Sequence, residues 1–157
     1  MAAQTNYGYS TPKGVAGGKV NLFHDEVITR QNEAQDGVLK YGMAVKVGTV
    51  PGSNVTVPNA GTTKEQIEGV VLAHPNTEQD MKGKVVVKNG TSLSVMTKGC
   101  VWGRLATGAT ATYGNVAYVV VTGDDAGTFT DKADGAVDIG AKFGKDTDDG
   151  IAVIVLN

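Results

Sequence analysis

The sequence predicts an all-β protein: a small antiparallel barrel or sandwich, jelly-roll-like, with an extended N-terminal arm. Glycine makes up 22 of the 157 residues, about twice its usual share, while charged residues are only 19% of the chain. Many glycines with few charges are typical of short strands joined by tight turns. Short β-branched runs recur between Gly, Pro, Asn and Asp, as in such folds. Strand count alone leaves barrel and sandwich both open.

The length allows one domain with one core, because a chain of this size buries roughly 68–70% of its unfolded surface. We find no internal repeat and no linker that would separate two domains. We therefore divide the chain into an arm, residues 1–35, and a single β-domain, residues 36–157.

The arm lacks the apolar side chains needed for a core of its own. Up to residue 19 its apolar residues are small or isolated, and glycine and proline interrupt it repeatedly. We interpret it as an extended segment that becomes ordered on a neighbour, with a frayed terminus as the alternative. The side chains that would anchor it on a partner are Tyr7, Tyr9, Leu22 and Phe23.

Strand signals then follow at short intervals. Residues 20–30 have the pattern of a short strand pair, and residues 31–37 are polar and turn-like. Only residues 62–67 and 75–81 have the pattern of a brief helical turn, so helix content should be low. The remaining strands outside the middle of the chain are predicted at 43–50, 54–57, 68–73, 115–122, 135–143 and 151–156.

The middle of the chain, residues 84–105, predicts an antiparallel meander of three strands. Asn89-Gly90 suits the two positive-φ positions of a type I′ turn and separates a Val-rich run from an alternating one. A second turn at Lys98-Gly99 leads into a third strand with the single Trp of the protein, Trp102. Its large ring should be buried between sheets.

The strand at 151–156 is almost continuously apolar. Continuous apolarity predicts burial on both faces, either inside a closed barrel or at an oligomer interface.

Charge and composition exclude several function classes. The net charge is −2 and the 14 basic residues are scattered, so we expect no nucleic-acid binding. No apolar run is long enough for a membrane span. Residues 1–6 have neither a basic patch nor an apolar core, so we expect no secretory signal. A single cysteine, Cys100, excludes an intrachain disulfide and fits a reducing cytoplasm.

Catalytic patterns are scarce. His24 lies in His-Asp-Glu, but adjacent strand residues point to opposite faces and do not close on one ion. His74 precedes Pro75 and fits a solvent-exposed turn, and Cys100 has no basic neighbour to activate it. The acidic run at 146–150 departs from a calcium loop in its Gly position and lacks the final Glu, so a solvated turn is favoured. We expect no catalytic residue, metal or cofactor, and no enzymatic activity.

Five stretches carry a family resemblance. They are Gly-Tyr-Ser-Thr-Pro in the arm, Gly-Val-Val-Leu from Gly69, Val-Met-Thr-Lys-Gly-Cys-Val-Trp-Gly-Arg at 95–104, Gly-Asn-Val-Ala-Tyr-Val from Gly114, and Asp-Gly-Ile-Ala-Val-Ile-Val-Leu-Asn at 149–157. Together they resemble the structural cement, or capsid decoration, proteins of tailed bacteriophages over about residues 1–157. The resemblance rests on strand order and composition, and a polar segment at 53–68 looks like an insertion.

The resemblance implies a β-rich protein, commonly trimeric, on the outside of an icosahedral head, where it clamps neighbouring capsomers through its arm. The implied partners are the major capsid protein and further copies in a homotrimer. The implied location is the virion exterior, after assembly in the host cytoplasm. The family has no catalytic residues to transfer to this chain.

Two other function classes remain as alternatives. A carbohydrate-binding or adhesive module would present aromatic rings for sugar stacking, with Tyr113, Tyr118 and Trp102 as candidates. A small hydrolase ranks last, because no nucleophile is paired with a base.

Overall fold

The computed structural model describes residues 14–21, 24–75 and 79–157. These residues form nine strands and one 3-10 helix, Lys64–Gln66, so the all-β prediction is confirmed. No helix among the described residues is long and apolar enough to cross a membrane. The strands are β1 Glu26–Asn32, β2 Ala44–Val47, β3 Asn54–Thr56, β4 Ile67–Val71, β5 Ser92–Arg104, β6 Val116–Val120, β7 Phe129–Thr130, β8 Ala136–Phe143 and β9 Ile151–Leu156.

Strands β1 to β5 close a five-stranded barrel in the order β1-β3-β2-β4-β5, since β5 pairs back with β1. The barrel is mixed, because β1 and β3 run parallel while the other pairs are antiparallel. Its interior is lined by fully buried side chains, among them Leu39, Val45, Val55, Val71 and Val95. The polar segment at 53–68 is therefore part of the barrel, since it contains β3 and the 3-10 helix.

A second sheet continues from the barrel in the order β5-β9-β8-β6-β7. The 13 residues of β5 serve both parts: residues 92–98 pair with β1 and β4, and residues 99–104 pair with β9. A second core cluster combines barrel residues such as Met96 with Phe129, Phe143 and Ile154 of the second sheet. Because they share β5 and this cluster, the barrel and the sheet are packed together.

The predicted meander is wrong in its first strand. Residues 84–88 form no regular strand, and the Asn89-Gly90 turn has a positive φ only at Gly90 (79°), so it is not type I′. The N–H of Gly90 donates to the carbonyl of Asn32 at 2.7 Å, and the N–H of Asn32 donates to Thr91 at 2.9 Å. The Val-rich run is instead used in packing, because its Val87 is buried in the barrel core.

The predicted turn at Lys98-Gly99 is also wrong. Lys98 pairs with Glu26 of β1 and Gly99 pairs with Leu156 of β9, so β5 continues through this position without a turn. Gly99 marks the place where the strand passes from the barrel to the second sheet.

The other predicted elements have mixed outcomes. The predicted helical turn at 62–67 is confirmed by the helix Lys64–Gln66. Residues 75 and 79–81 form no helix, and residues 76–78 lie outside the described part of the chain. The described residues of 20–30 hold one strand, β1, which extends to Asn32 into the predicted turn. Strand β7, only two residues long, was not predicted.

Strand β1 lies within residues 1–35, the segment predicted to be an arm. It pairs with β3 and β5, and Asn32 and Ala34 are buried, so residues 26–35 pack with the barrel.

Strand β9 is buried on both faces, as its apolar sequence predicted. Ala152, Ile154 and Leu156 lie in the core cluster, and Val153 on the other face is also buried. β9 lies between β5 and β8, so a single chain accounts for this burial.

Candidate functional site

A short N-terminal segment, residues 14–20, lies along β5; we name it the strap. The N–H of Gly17 donates to the carbonyl of Trp102 at 2.7 Å, and the N–H of Trp102 donates to Gly18 at 2.9 Å. The N–H of Val20 donates to Cys100 at 3.1 Å. Because β9 occupies one edge of β5 at these residues, the strap occupies the other and extends the sheet.

The strap covers the ring of Trp102, which is only 8% exposed. A Cβ on Gly14 would lie 2.0 Å from Cε2 of that ring, so only glycine lets the strap come so close. The Nζ of Lys145 lies 5.3 Å from the ring centroid, in the range of a cation–π contact.

The burial of Trp102 is thus confirmed, but its predicted position between the sheets is wrong. Neighbouring residues of a strand point to opposite faces, and Val101 takes the place in the core cluster. The ring of Trp102 points the other way, beneath the strap.

An ion pair links the strap to the start of β1. The ammonium group of Lys19 donates to a carboxylate oxygen of Asp25, and this hydrogen bond lowers the pKa of Asp25 below its ordinary value. The pair is exposed and is therefore worth little stability by itself. Its effect is to hold the two ends of the connection between the strap and β1 together.

Replacing Gly17 by Val should displace the strap. Gly17 has a φ of 79°, and a Cβ there would lie 2.6 Å from the backbone nitrogen of Ala73. Left-handed backbone alone costs a residue other than Gly about 1–2 kcal/mol. We expect the fluorescence of Trp102 to shift to the red and to become quenchable by iodide.

Val15→Ala is the matched control, since Val15 lies on the strap but is 65% exposed. It should leave the emission unchanged. An unshifted, unquenchable emission from the Gly17→Val protein would show that the strap does not cover Trp102.

The four predicted anchor residues, Tyr7, Tyr9, Leu22 and Phe23, all lie outside the described residues, so their role stays a prediction. The structure does describe residues that are close to them in the sequence. In the sequence, residues 1–13 precede Gly14, which lies against Trp102, and residues 22–23 come after the strap and before β1.

Sequence reasoning missed the strap itself. From the sequence its glycines predict interruptions of an arm, whereas in the structure Gly14 and Gly17 are the positions where the strap approaches the sheet most closely. The available signal is three glycines within five residues in a chain with a single Trp, but the sequence does not show that these glycines meet the Trp ring.

The residues considered for metal binding do not converge. His24 and His74 are exposed at opposite ends of the segment that holds β1 to β4, and within the described ranges no group of three or more His, Cys, Asp or Glu is placed to hold an ion. In the acidic turn, a carboxylate oxygen of Asp146 accepts the N–H of Tyr113 at 2.8 Å. That carboxylate helps to shape the turn.

The aromatic residues considered for sugar stacking differ in exposure. Tyr113 is 74% exposed and Tyr118 is half-buried in β6. Trp102, the largest candidate ring, is covered by the strap. The structure thus offers no support for Trp102 as a sugar platform.

The closed barrel, the sheet that continues it and the strap together define an all-β structural module. The chain belongs to the structural cement proteins of phages: the family described as "Structural cement protein (E217 gp24/Pam3 gp6)" matches residues 3–157. The resemblance inferred from the sequence is therefore confirmed.

The fold agrees with a solved capsid structure. A chain in the structure titled "The capsid of Myoviridae Phage XM1" superposes with a TM-score of 0.76 at 16% identity, over 100% of this chain and 98% of that one. At this identity the likeness concerns the fold alone. No curated protein matches the sequence.

Proposed function

We propose that the protein binds the outer surface of a phage head and stabilises the shell by bridging neighbouring capsomers. The observation that carries this proposal is the family match over residues 3–157. The shared fold with a chain of a phage capsid structure supports it. The role is structural, without enzymatic activity, and the place of action is the exterior of the virion, after assembly in the host cytoplasm.

The arm is proposed to make the bridging contacts. Residues 1–13 precede Gly14, which lies against the ring of Trp102, and 13 extended residues reach at most about 45 Å. Tyr7 and Tyr9 would then anchor on a neighbouring subunit, and Leu22 and Phe23 on the partner beside the strap. An arm that is ordered only on the shell would couple binding to assembly, with an ordering cost of about 2–5 kcal/mol.

Two kinds of partner follow from this role: the major capsid protein and further copies of the chain in a homotrimer. A trimer at a symmetry axis engages several capsomers at once, so modest contacts per copy add up. Because β9 is buried within one chain, the trimer is proposed from the family and not from that strand.

Light scattering tests the trimer. At micromolar concentration we expect a mass three times the 16.2 kDa of one chain. A mass of one chain, unchanged over a tenfold range of concentration, would contradict the homotrimer.

The proposed function is tested by sedimentation. Purified protein is mixed with expanded heads that lack decoration, the heads are pelleted, and the bound copies are counted. We expect saturation at a fixed ratio to the capsid protein. Absence of saturable binding to the expanded heads of its own phage would overturn the proposal.

A further inference from the structure

A cleft of about 560 Å³ opens between the loop at residues 37–41 and the segment at 80–87, with Arg104 at the end of β5 in its wall. We name it the cationic cleft. Its walls combine apolar side chains, such as Tyr41 and the 47% exposed Val85, with charged ones.

Among the described residues, three cations and one carboxylate line the cleft: Lys40, Lys84 and Arg104 against Asp80. Asp80 is already engaged, because its Oδ1 accepts the backbone N–H groups of Lys82 at 2.8 Å and Lys84 at 2.9 Å. The three cations make no ion pair with any described carboxylate. The protein as a whole carries −2, so the cleft is a local positive site on an acidic protein.

Arg104 is held in a fixed orientation. Its Nε donates to the carbonyl of Tyr41 at 2.7 Å, whereas its two Nη nitrogens donate to no described residue. Its side chain is partly buried, and this burial lowers the pKa of Arg104. A partly buried charge that lacks an ion-pair partner is costly, and a guanidinium fork matches a carboxylate in two parallel hydrogen bonds.

We propose that the cationic cleft binds an acidic, extended segment of the shell protein, with one carboxylate held by Arg104 between Lys40 and Lys84. The inference rests on the proposed function, which supplies the shell as the partner. The apolar wall gives the stems of the bound side chains a surface to pack on. A nucleic acid would fit poorly, because the phosphates beyond the cleft would meet a protein of net negative charge.

The first test is charge reversal with the double variant Lys40→Glu/Lys84→Glu. Both lysines are exposed, so the fold should persist, and unchanged Trp102 fluorescence checks this. At low salt we expect at least tenfold weaker binding to undecorated heads than wild type, with the difference shrinking as NaCl is added. Lys132→Glu/Lys142→Glu makes the same change of charge at exposed lysines elsewhere and should alter the affinity less than about twofold.

The second test uses an acetylated hexaglutamate peptide titrated into the ¹⁵N-labelled full chain. We expect saturable shifts at Arg104 Nε–H and at the amides of residues 80–87, lost in Lys40→Glu/Lys84→Glu and kept in the control variant. Shifts spread equally over all exposed lysines would overturn the site.

Failure of the cleft proposal and failure of the proposed function give different results. Heads that bind the Lys40→Glu/Lys84→Glu variant as tightly as wild type would overturn the cleft and leave the proposed function intact. Heads that do not bind the wild-type protein would overturn the proposed function and, with it, the partner named for the cleft.

Discussion

Replacing Trp102 by Ala is expected to lower the free energy of unfolding by about 3–5 kcal/mol, the usual cost of truncating a buried Phe or Trp. The ring is almost fully covered by the strap, so its removal leaves the glycines of the strap without a surface to lie on. For a chain of this size the melting temperature should fall by roughly 6–20 °C. Thermal and urea unfolding followed by far-UV circular dichroism measure both quantities.

Tyr113→Ala is the matched control, because Tyr113 is also aromatic but 74% exposed. It should change the free energy of unfolding by no more than about 0.5 kcal/mol. If Trp102→Ala were as mild as this control, the packing of the strap on the Trp102 ring would contribute nothing to the stability of the fold.

Deleting residues 1–13 is expected to weaken binding to undecorated heads at least tenfold, or about 1.4 kcal/mol, without loss of stability. The cut falls before Gly14, so the strap stays on β5 and Trp102 stays covered. Sedimentation with heads gives the affinity, and the unfolding curve and Trp102 fluorescence show whether the fold is retained.

Substitutions within the full-length arm test whether its two tyrosine side chains make the contacts with the shell. Tyr7→Ala/Tyr9→Ala should reproduce most of the deletion's effect, whereas Gln4→Ala/Thr5→Ala on the same arm should bind like wild type. Wild-type affinity in the deletion variant would mean that the shell contacts lie on the β-domain.

Local pattern was enough to place several strands. The runs at 54–57, 135–143 and 151–156 are bounded by Gly, Pro, Asn or Asp, and they match β3, β8 and β9 to within a residue. In each of them the turn residues and the β-branched run agree, so the local signal and the tertiary structure coincide.

The pairing of β5 was not predictable from the sequence in the same way. Asn89-Gly90 does form a turn, but the N–H of Gly90 bonds to Asn32, which lies far away along the chain. A turn dipeptide specifies a local reversal, whereas the partner of the following strand depends on barrel closure. β7 was missed for another reason, since two residues are too few to show a periodic pattern.

The candidate site, too, is only partly predictable from the sequence. The family followed from strand order and composition, and the N-terminal residues stood out by their lack of apolar side chains. The strap and the cationic cleft are not predictable from the sequence, because both join residues that are distant along the chain. The strap joins Gly14 with Trp102, and the cleft joins Lys40 with Lys84 and Arg104.

The most direct test of a cement role is the melting temperature of expanded, undecorated heads, measured by calorimetry with and without saturating protein. A ligand that binds only the intact shell stabilises it by about 2.7 kcal/mol per site at 100 times its dissociation constant. We therefore predict a higher melting temperature that stops rising at the same ratio at which binding saturates. Full occupancy of the heads with an unchanged melting temperature would contradict the account: the protein would then decorate the shell without cementing it.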